Sequence, residues 1–183
     1  MYLVVGLGNF ESKYDLTYHN MGFMVADEFA KKLGVTFNKT KCNAKIAEAN
    51  INGEKVIIAK PLTYMNLSGT SVREFINKFK IPLENIIIAY DDIDIEKGTI
   101  RFKKDGSAGT HNGMRNIVEN LSSTNFARVR VGIGKPVHGE LYDYVLSKID
   151  KQNLELLLPQ VERASEIIYD FILNKGNIQN VNS

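Results

Sequence analysis

Hydrophobic positions along the chain change period several times, and each change marks an element. Residues 2–6 form a short apolar run of strand length that ends in the turn Gly6-Leu-Gly8 and delivers Asn9. Residues 21–33 place Phe23, Ala26, Phe29, Ala30 and Leu33 on one helical face, and Gly34 stops that helix. Asn52-Gly53, between apolar runs at 44–51 and 54–60, predicts a hairpin, because a type I′ turn needs positive φ at both central residues. Val72, Phe75, Ile76 and Phe79 give residues 68–80 a helical period that Pro82 ends. Ile86-Ile-Ile-Ala-Tyr90 reads as a fully buried central strand, and residues 99–103 and 127–133 as two more. Between these two lies a polar, glycine-bearing segment, 105–113, and then a short helix ending near Leu121. At residues 151–174, Leu154, Leu157, Leu158, Val161, Ile168, Phe171 and Ile172 make a helical stripe, in which Pro159 predicts a kink or a boundary between two pieces. Strands alternating with helices, plus one hairpin, indicate an α/β domain around a mixed sheet.

Composition narrows this picture without naming a chemistry. At 183 residues the chain fits one domain with a substantial core, and its 44% hydrophobic and 24% charged content is that of an ordinary soluble protein. A formal net charge of +2 does not announce a nucleic-acid partner, so any such argument must come from where the charges lie. Cys42 is the only cysteine, which excludes an internal disulfide and a cysteine-rich zinc site, and it is read as structural. No basic region followed by an apolar stretch opens the chain, and no run reaches membrane-spanning length; a cytoplasmic protein is the economical expectation.

His19 and Asn20 sit at the entrance of the first helix, after a buried strand and its turn. Histidine suits proton transfer near neutrality, so His19 is a candidate base; the plain alternative is that His19 or Asn20 caps the helix. Gly6-Leu-Gly8 invites a dinucleotide-binding reading, but Glu11 occupies the third glycine's place, where a carboxylate would repel a pyrophosphate. Asp91, Asp92 and Asp94 end the most buried strand. A calcium loop starting at Asp92 fails, with Lys97 where glycine is needed and Lys103 where a bidentate glutamate belongs. A magnesium site stays open, as does the reading in which Asp91 orients His19, with Asp92 and Asp94 as solvated turn residues.

Asn9, Asn66 and Asn112 each stand after a strand or before a helix, ordinary places for a turn or a cap. With one His–Asp pair they suggest a site of neutral amides able to hold a water and bind an acyl group without a metal. The small-residue segment 106–113 could receive an anion or a developing oxyanion at a helix start. The absence of a Gly-x-Ser-x-Gly elbow disfavours a serine esterase. Arg101 and Lys103 are spaced to share one strand face, and Arg128 and Arg130 repeat that spacing, with Lys97, Lys104 and Lys135 near in sequence. These cations either track a phosphate backbone or protect sheet edges.

Taken jointly, Val5-Gly-Leu-Gly-Asn9, Thr17-Tyr-His19-Asn20, Lys60-Pro-Leu-Thr-Tyr64-Met-Asn66-Leu-Ser-Gly69, Tyr90-Asp91-Asp92-Ile-Asp94, Gly106-Ser-Ala-Gly-Thr-His111-Asn112-Gly113 and Arg128-Val-Arg130-Val-Gly-Ile-Gly134 make the chain resemble bacterial-type peptidyl-tRNA hydrolases over nearly its whole length. The resemblance implies a single α/β domain over 1–183, with a central mixed, mostly parallel twisted sheet flanked by helices and the C-terminal helix packed near the site. It implies hydrolysis of the ester joining peptide to tRNA by a cytoplasmic monomer without metal or cofactor. His19 would be the base, Asp91 its orienting partner, and Asn9 the group recognising the peptide beside the ester. Tyr14 and Tyr64 would contact the tRNA end or first residue, Asn66 and Asn112 substrate and water, and Arg101, Lys103 and Arg130 the tRNA phosphates. Asn20, Met65 and His111 would support them, His111 being the alternative base.

The chain departs from the family pattern at Phe10-Glu11, where Pro-Gly is usual, at Tyr18, where arginine is usual, and at Asp105 and Thr110, where glycines are usual. The expected effects are a reshaped loop behind Asn9 with a carboxylate near the mouth, one cationic contact fewer, and a stiffer Asn112 loop. The competing function is a non-catalytic RNA-binding module on the same fold.

Overall fold

The computed structural model describes residues 1–182. Its strands are β1 (Tyr2–Gly6), β2 (Lys39–Lys41), β3 (Ala44–Ile51), β4 (Glu54–Pro61), β5 (Ile86–Asp92), β6 (Ile100–Lys103), β7 (Ala127–Gly132) and β8 (Val181–Asn182). The helices are α1 (Met21–Lys32), α2 (Ser68–Phe79), α3 (Asn112–Leu121), α4 (Leu141–Val145) and α5 (Lys151–Leu173). One sheet runs β2-β3-β4-β1-β5-β7-β6-β8. It is parallel through β4, β1, β5 and β7 and antiparallel toward both edges.

Side chains of a strand alternate between faces, so β1 feeds two cores. Tyr2 and Val4 pack with Val25 and Phe29 of α1 and Leu157, Ile168 and Phe171 of α5. Leu3 and Val5 pack with Val72 and Phe75 of α2 and Met114 and Ile117 of α3. Each such side chain contributes on the order of 1.5–3 kcal/mol by leaving water. The central strands are therefore fixed from both sides, and β1 and β5 run side by side to a common end, with Gly6 opposite Ala89.

The expected hairpin is present, with φ of 52° at Asn52 and 89° at Gly53. Pro159 neither ends nor divides α5, which continues through it from Lys151 to Leu173. Pro159 lies on the exposed side of the helix, where the carbonyl it frees can be met by water. Leu158, assigned to the buried stripe, is 43% exposed. The five-residue helix α4 is an addition that the hydrophobic pattern does not reveal.

Candidate active site

The loops at the shared carboxyl end of β1, β4 and β5 converge with the start of α3 on a pocket of about 550 Å³. One close packing contact sets it up. Gly22, in the first turn of α1, lies so near the strand ends that a Cβ there would come within 2.3 Å of the Ala89 carbonyl oxygen and 2.4 Å of the Leu7 nitrogen. The Phe23 N–H donates to the Leu7 carbonyl at 3.1 Å. The residues just before α1 are thereby pressed against the end of β5, and His19 meets Asp91 although 72 residues separate them.

His19 Nδ1 lies 2.9 Å from Asp91 Oδ2, and His111 Nε2 lies 3.1 Å from Asp91 Oδ1. The Met114 N–H donates to His111 Nδ1 at 3.2 Å, making His111 the cap of α3. An N–H can only donate and a carboxylate can only accept, so the direction of every bond is fixed. His111 accepts on Nδ1, so its proton sits on Nε2 and goes to Asp91. His19 donates from Nδ1 to the other carboxylate oxygen, which leaves Nε2 as a free lone pair. Neither nitrogen of His111 has one. The alternative assignment of His111 as base is thus disfavoured by its bonding.

Asp91 is almost fully buried. Burial alone would raise its carboxyl, yet the two histidines hold it well below the usual carboxylate range. For His19, burial disfavours the cation, but the charge of Asp91 and its hydrogen bond more than offset this and shift the imidazole upward. The side chains of His19, Asp91 and His111 also bring one ligand atom each within 4.8 Å of one another. The three aspartates do not converge in that way: Asp92 pairs with Arg130 at 3.1 Å and Asp94 with Lys135 at 3.4 Å. Asp92 and Asp94 are thus engaged by basic partners and are not grouped with Asp91.

Asn20 stands at the cap position of α1, but its side chain makes no capping bond. Its Oδ1 accepts from the Asn9 N–H at 2.8 Å and its Nδ2 donates to the Asn9 carbonyl at 2.9 Å. Asn9 Oδ1 in turn accepts from the Met65 N–H at 2.9 Å. With its oxygen so engaged, Asn9 presents its amide N–H groups to the pocket that it lines. Asn66, Asn112 and Tyr64 line the same pocket from exposed positions, Tyr14 lines it half-buried, and Met65 lines it from a buried one.

Tyr64 takes a φ of 60° and ψ of 163°, a region costing a non-glycine residue on the order of 1–3 kcal/mol. Phe10 and Glu11 meet it there: the Phe10 ring lies 4.7 Å away and the Tyr64 hydroxyl donates to the Glu11 carboxylate. The two residues that depart from the family pattern after Asn9 therefore act on Tyr64, while Asn9 stays held by Asn20 and Met65.

The basic strands divide. Arg101 stands opposite Arg130 and Lys103 opposite Arg128, so all four share one face of the sheet. Arg101 and Lys103 are exposed, and Arg130 lines the pocket. Arg128 does not join them: it is buried, and its guanidinium donates to the carbonyls of Ser107, Thr124 and Phe126. It holds the loop leading to His111 and is unavailable to a phosphate. Tyr18, which stands where arginine is usual, is buried as well and is not part of the pocket wall.

The sequence profile of the family described as Peptidyl-tRNA hydrolase matches residues 3–183. The chain belongs to the peptidyl-tRNA hydrolase family. It is 47% identical over 174 residues to the peptidyl-tRNA hydrolase of Alkaliphilus metalliredigens, covering 95% of this chain and 94% of that one. A relative with the same name from Caldanaerobacter subterraneus is 46% identical over 174 residues, with the same coverage of both chains. The crystal structure of peptidyl-tRNA hydrolase from Acinetobacter baumannii superposes with a TM-score of 0.88 at 37% identity, over 95% of this chain and 89% of that one. As a member of this family the chain is a hydrolase, and the single α/β domain expected from its motifs is the one observed.

Four parts of this candidate site are not evident in the sequence. They are Gly22, the clamp made by Asn20, the buried role of Arg128, and the wall supplied by Leu141, Tyr142, Val145 and Leu146. Only Gly22 left a trace, as a glycine inside a helical period, where it costs about 1 kcal/mol relative to alanine and so calls for a packing reason. Among the described residues, no helix is long and apolar enough to cross a membrane.

Proposed function

We propose that this chain hydrolyses the ester between the peptide and the terminal ribose of peptidyl-tRNA, with His19 as general base. One observation carries the reading. Of the four ring nitrogens in the His19–Asp91–His111 cluster, His19 Nε2 alone has a lone pair not engaged in a hydrogen bond, and His19 lines the pocket. In this mechanism His19 Nε2 takes a proton from a water, whose oxygen attacks the ester carbonyl. The imidazolium then returns that proton to the departing 3′ oxygen, so that free tRNA and a peptide acid leave. Asp91 holds the ring in the productive tautomer and stabilises its cation. Asn9, Asn66 and Asn112 supply neutral amides for the carbonyl and the water, and Tyr14 and Tyr64 border the tRNA end.

Arg101 and Lys103, with Arg130 next to them, receive phosphates of the tRNA. A tRNA substrate supports a cytoplasmic place of work, and a monomer is the working unit we propose. The test is hydrolysis of N-blocked peptidyl-tRNA by wild type and His19→Ala side by side. A positioned base contributes on the order of 10²–10⁴-fold, so turnover should fall by that range while tRNA binding persists. Binding without hydrolysis by the wild type would instead indicate an RNA-binding module, and near-normal turnover by His19→Ala would remove His19 from the mechanism.

A further inference from the structure

The segment that carries His19 is sewn to the segment that follows α4. The Ile149 N–H donates to the Leu16 carbonyl at 2.8 Å, Thr17 and Lys148 form an isolated antiparallel bridge, and Lys148 Nζ donates to the Asp15 carbonyl. Leu16 holds a φ of 58°, a conformation that L-residues rarely keep without such support. Side chains close the seam. The Tyr18 and Tyr144 rings stack with centroids 4.6 Å apart and planes 28° apart. Asn153, in the first turn of α5, donates to the Tyr18 hydroxyl at 3.0 Å, and the Tyr144 hydroxyl donates to the Ile133 carbonyl at 2.5 Å. Lys97 Nζ lies 5.6 Å from the Tyr18 ring centre and 6.0 Å from that of Tyr144.

Tyr18 immediately precedes His19, and Tyr144 belongs to the helix whose Leu141, Tyr142 and Val145 form the far pocket wall. We infer that Tyr18 is a positioning residue, pinned by Tyr144 and Asn153, that fixes His19 relative to both Asp91 and the α4 wall. Two aromatic rings suit this task because each has only two rotatable bonds to immobilise and each hydroxyl finds a hydrogen-bond partner. The ammonium of Lys97 adds an attraction to both ring faces. The pin acts on the geometry of the base, and the exposed cations Arg101 and Lys103 lie on another element. Its loss should therefore appear in kcat and not in the KM for tRNA.

This inference rests on the proposed role of His19, and the experiment separates the two. Tyr18→Leu, Tyr144→Leu, the double variant and Tyr18→Phe are assayed on N-blocked peptidyl-tRNA, with His19→Ala as the inactive reference. A misplacement of about 1 Å costs on the order of 10²-fold, so each leucine variant should lose about ten- to a hundredfold in kcat, with KM within about threefold. Tyr18→Phe keeps the stack and should keep most of kcat. The double variant should lose no more than the worse single, since both break one pin.

A second readout is independent of hydrolysis. The NMR signal of the His19 Nδ1 proton, held by Asp91 in the wild type, should broaden or vanish in Tyr18→Leu. Should the wild type fail to hydrolyse the substrate, the proposed function falls while this signal still reports the pin. If Tyr18→Leu does not fold, Tyr144→Leu, whose side chain is only partly buried, carries the test. Folded leucine variants with kcat within twofold of wild type and an unchanged His19 signal would overturn the proposal. Losses that multiply in the double variant, or a rise confined to KM, would overturn it too.

Discussion

Replacing Asp91 by asparagine tests the direction of every proton in the site, because the surrounding donors dictate how the new amide must sit. His111 accepts from the Met114 N–H and so always offers Nε2–H toward position 91. The amide oxygen of Asp91→Asn must face that donor, which turns its NH₂ group toward His19 Nδ1, now 2.9 Å from a carboxylate oxygen. His19 would then have to accept on Nδ1 and carry its proton on Nε2, the atom required as base. Reversing the tautomer of a catalytic histidine costs on the order of 10⁴ in turnover, so the variant should approach His19→Ala although a basic ring is still present.

The pH profile supplies a second, independent sign. A neighbouring anion raises a histidine pKa, so His19 in the wild type becomes a base only above its ordinary value of 6.5, and removing the anion lowers that midpoint. The acid limb of kcat/KM should shift to lower pH in Asp91→Asn, under a much reduced plateau. Adding His111→Ala frees the amide to turn over and offer its oxygen to His19. The double variant should thus recover roughly tenfold over Asp91→Asn, about 1.4 kcal/mol in the barrier. Nitrogen NMR of the His19 ring reports the tautomer directly. A double variant no faster than Asp91→Asn, or a single variant with the proton still on Nδ1, would refute this account of the network.

Three further outcomes are expected. Asn20→Ala leaves the buried N–H and carbonyl of Asn9 without partners, at about 1–3 kcal/mol for each group, and should lower Tm and turnover together, as thermal unfolding and the hydrolysis assay would show. Asn9→Ala removes the amide donors that the proposed mechanism sets beside the scissile bond and should narrow the preference for N-blocked over free aminoacyl-tRNA; equal losses on both substrates would leave Asn9 as a turn residue. Arg101→Ala with Lys103→Ala should raise KM for peptidyl-tRNA and flatten its salt dependence, while Lys104→Ala, which borders a different hollow with Phe171 and Lys175, should not; Arg128→Ala should instead destabilise the fold.

Elements with a long, strong period were legible in the sequence, because burial on one or both faces imposes that period. α4 was not: Leu141-Tyr-Asp-Tyr-Val145 is too short to repeat and borrows its stability from Tyr18 and Ile133. β2, as Lys39-Thr-Lys41, carries no apolar signal, and β8, with Val181 alone, is too short to show a period. In the site, residue types at strand ends and helix starts pointed to His19, Asp91 and the asparagines, whereas their bonding did not follow from type. Asn20 looked like a cap and proved to be a clamp on a turn eleven residues earlier. Arg128 and Arg130 have identical spacing signals, yet one is buried beneath the Ser107 loop and the other opens onto the pocket. Spacing assigns a face of the sheet but not what covers that face.

The departures from the family pattern show how such a site tolerates change near its centre. Phe10 and Glu11 follow directly on Asn9, so a reshaped loop would be expected to move that amide. Asn9 is nevertheless held at its N–H, its carbonyl and its side-chain oxygen, by partners from the turn before α1 and from the loop after β4. The energy of the new residues goes outward, into Tyr64. Glu11 accepts the Tyr64 hydroxyl and lies 3.9 Å from Lys13, which leaves less of its charge to oppose an approaching phosphate. The residues that change the mouth are thus separated from Asn9 by the three hydrogen bonds that Asn9 makes to other elements. Phe10, Glu11 and Tyr64 can change the mouth of the pocket while Asn9 and Asn20 keep one geometry.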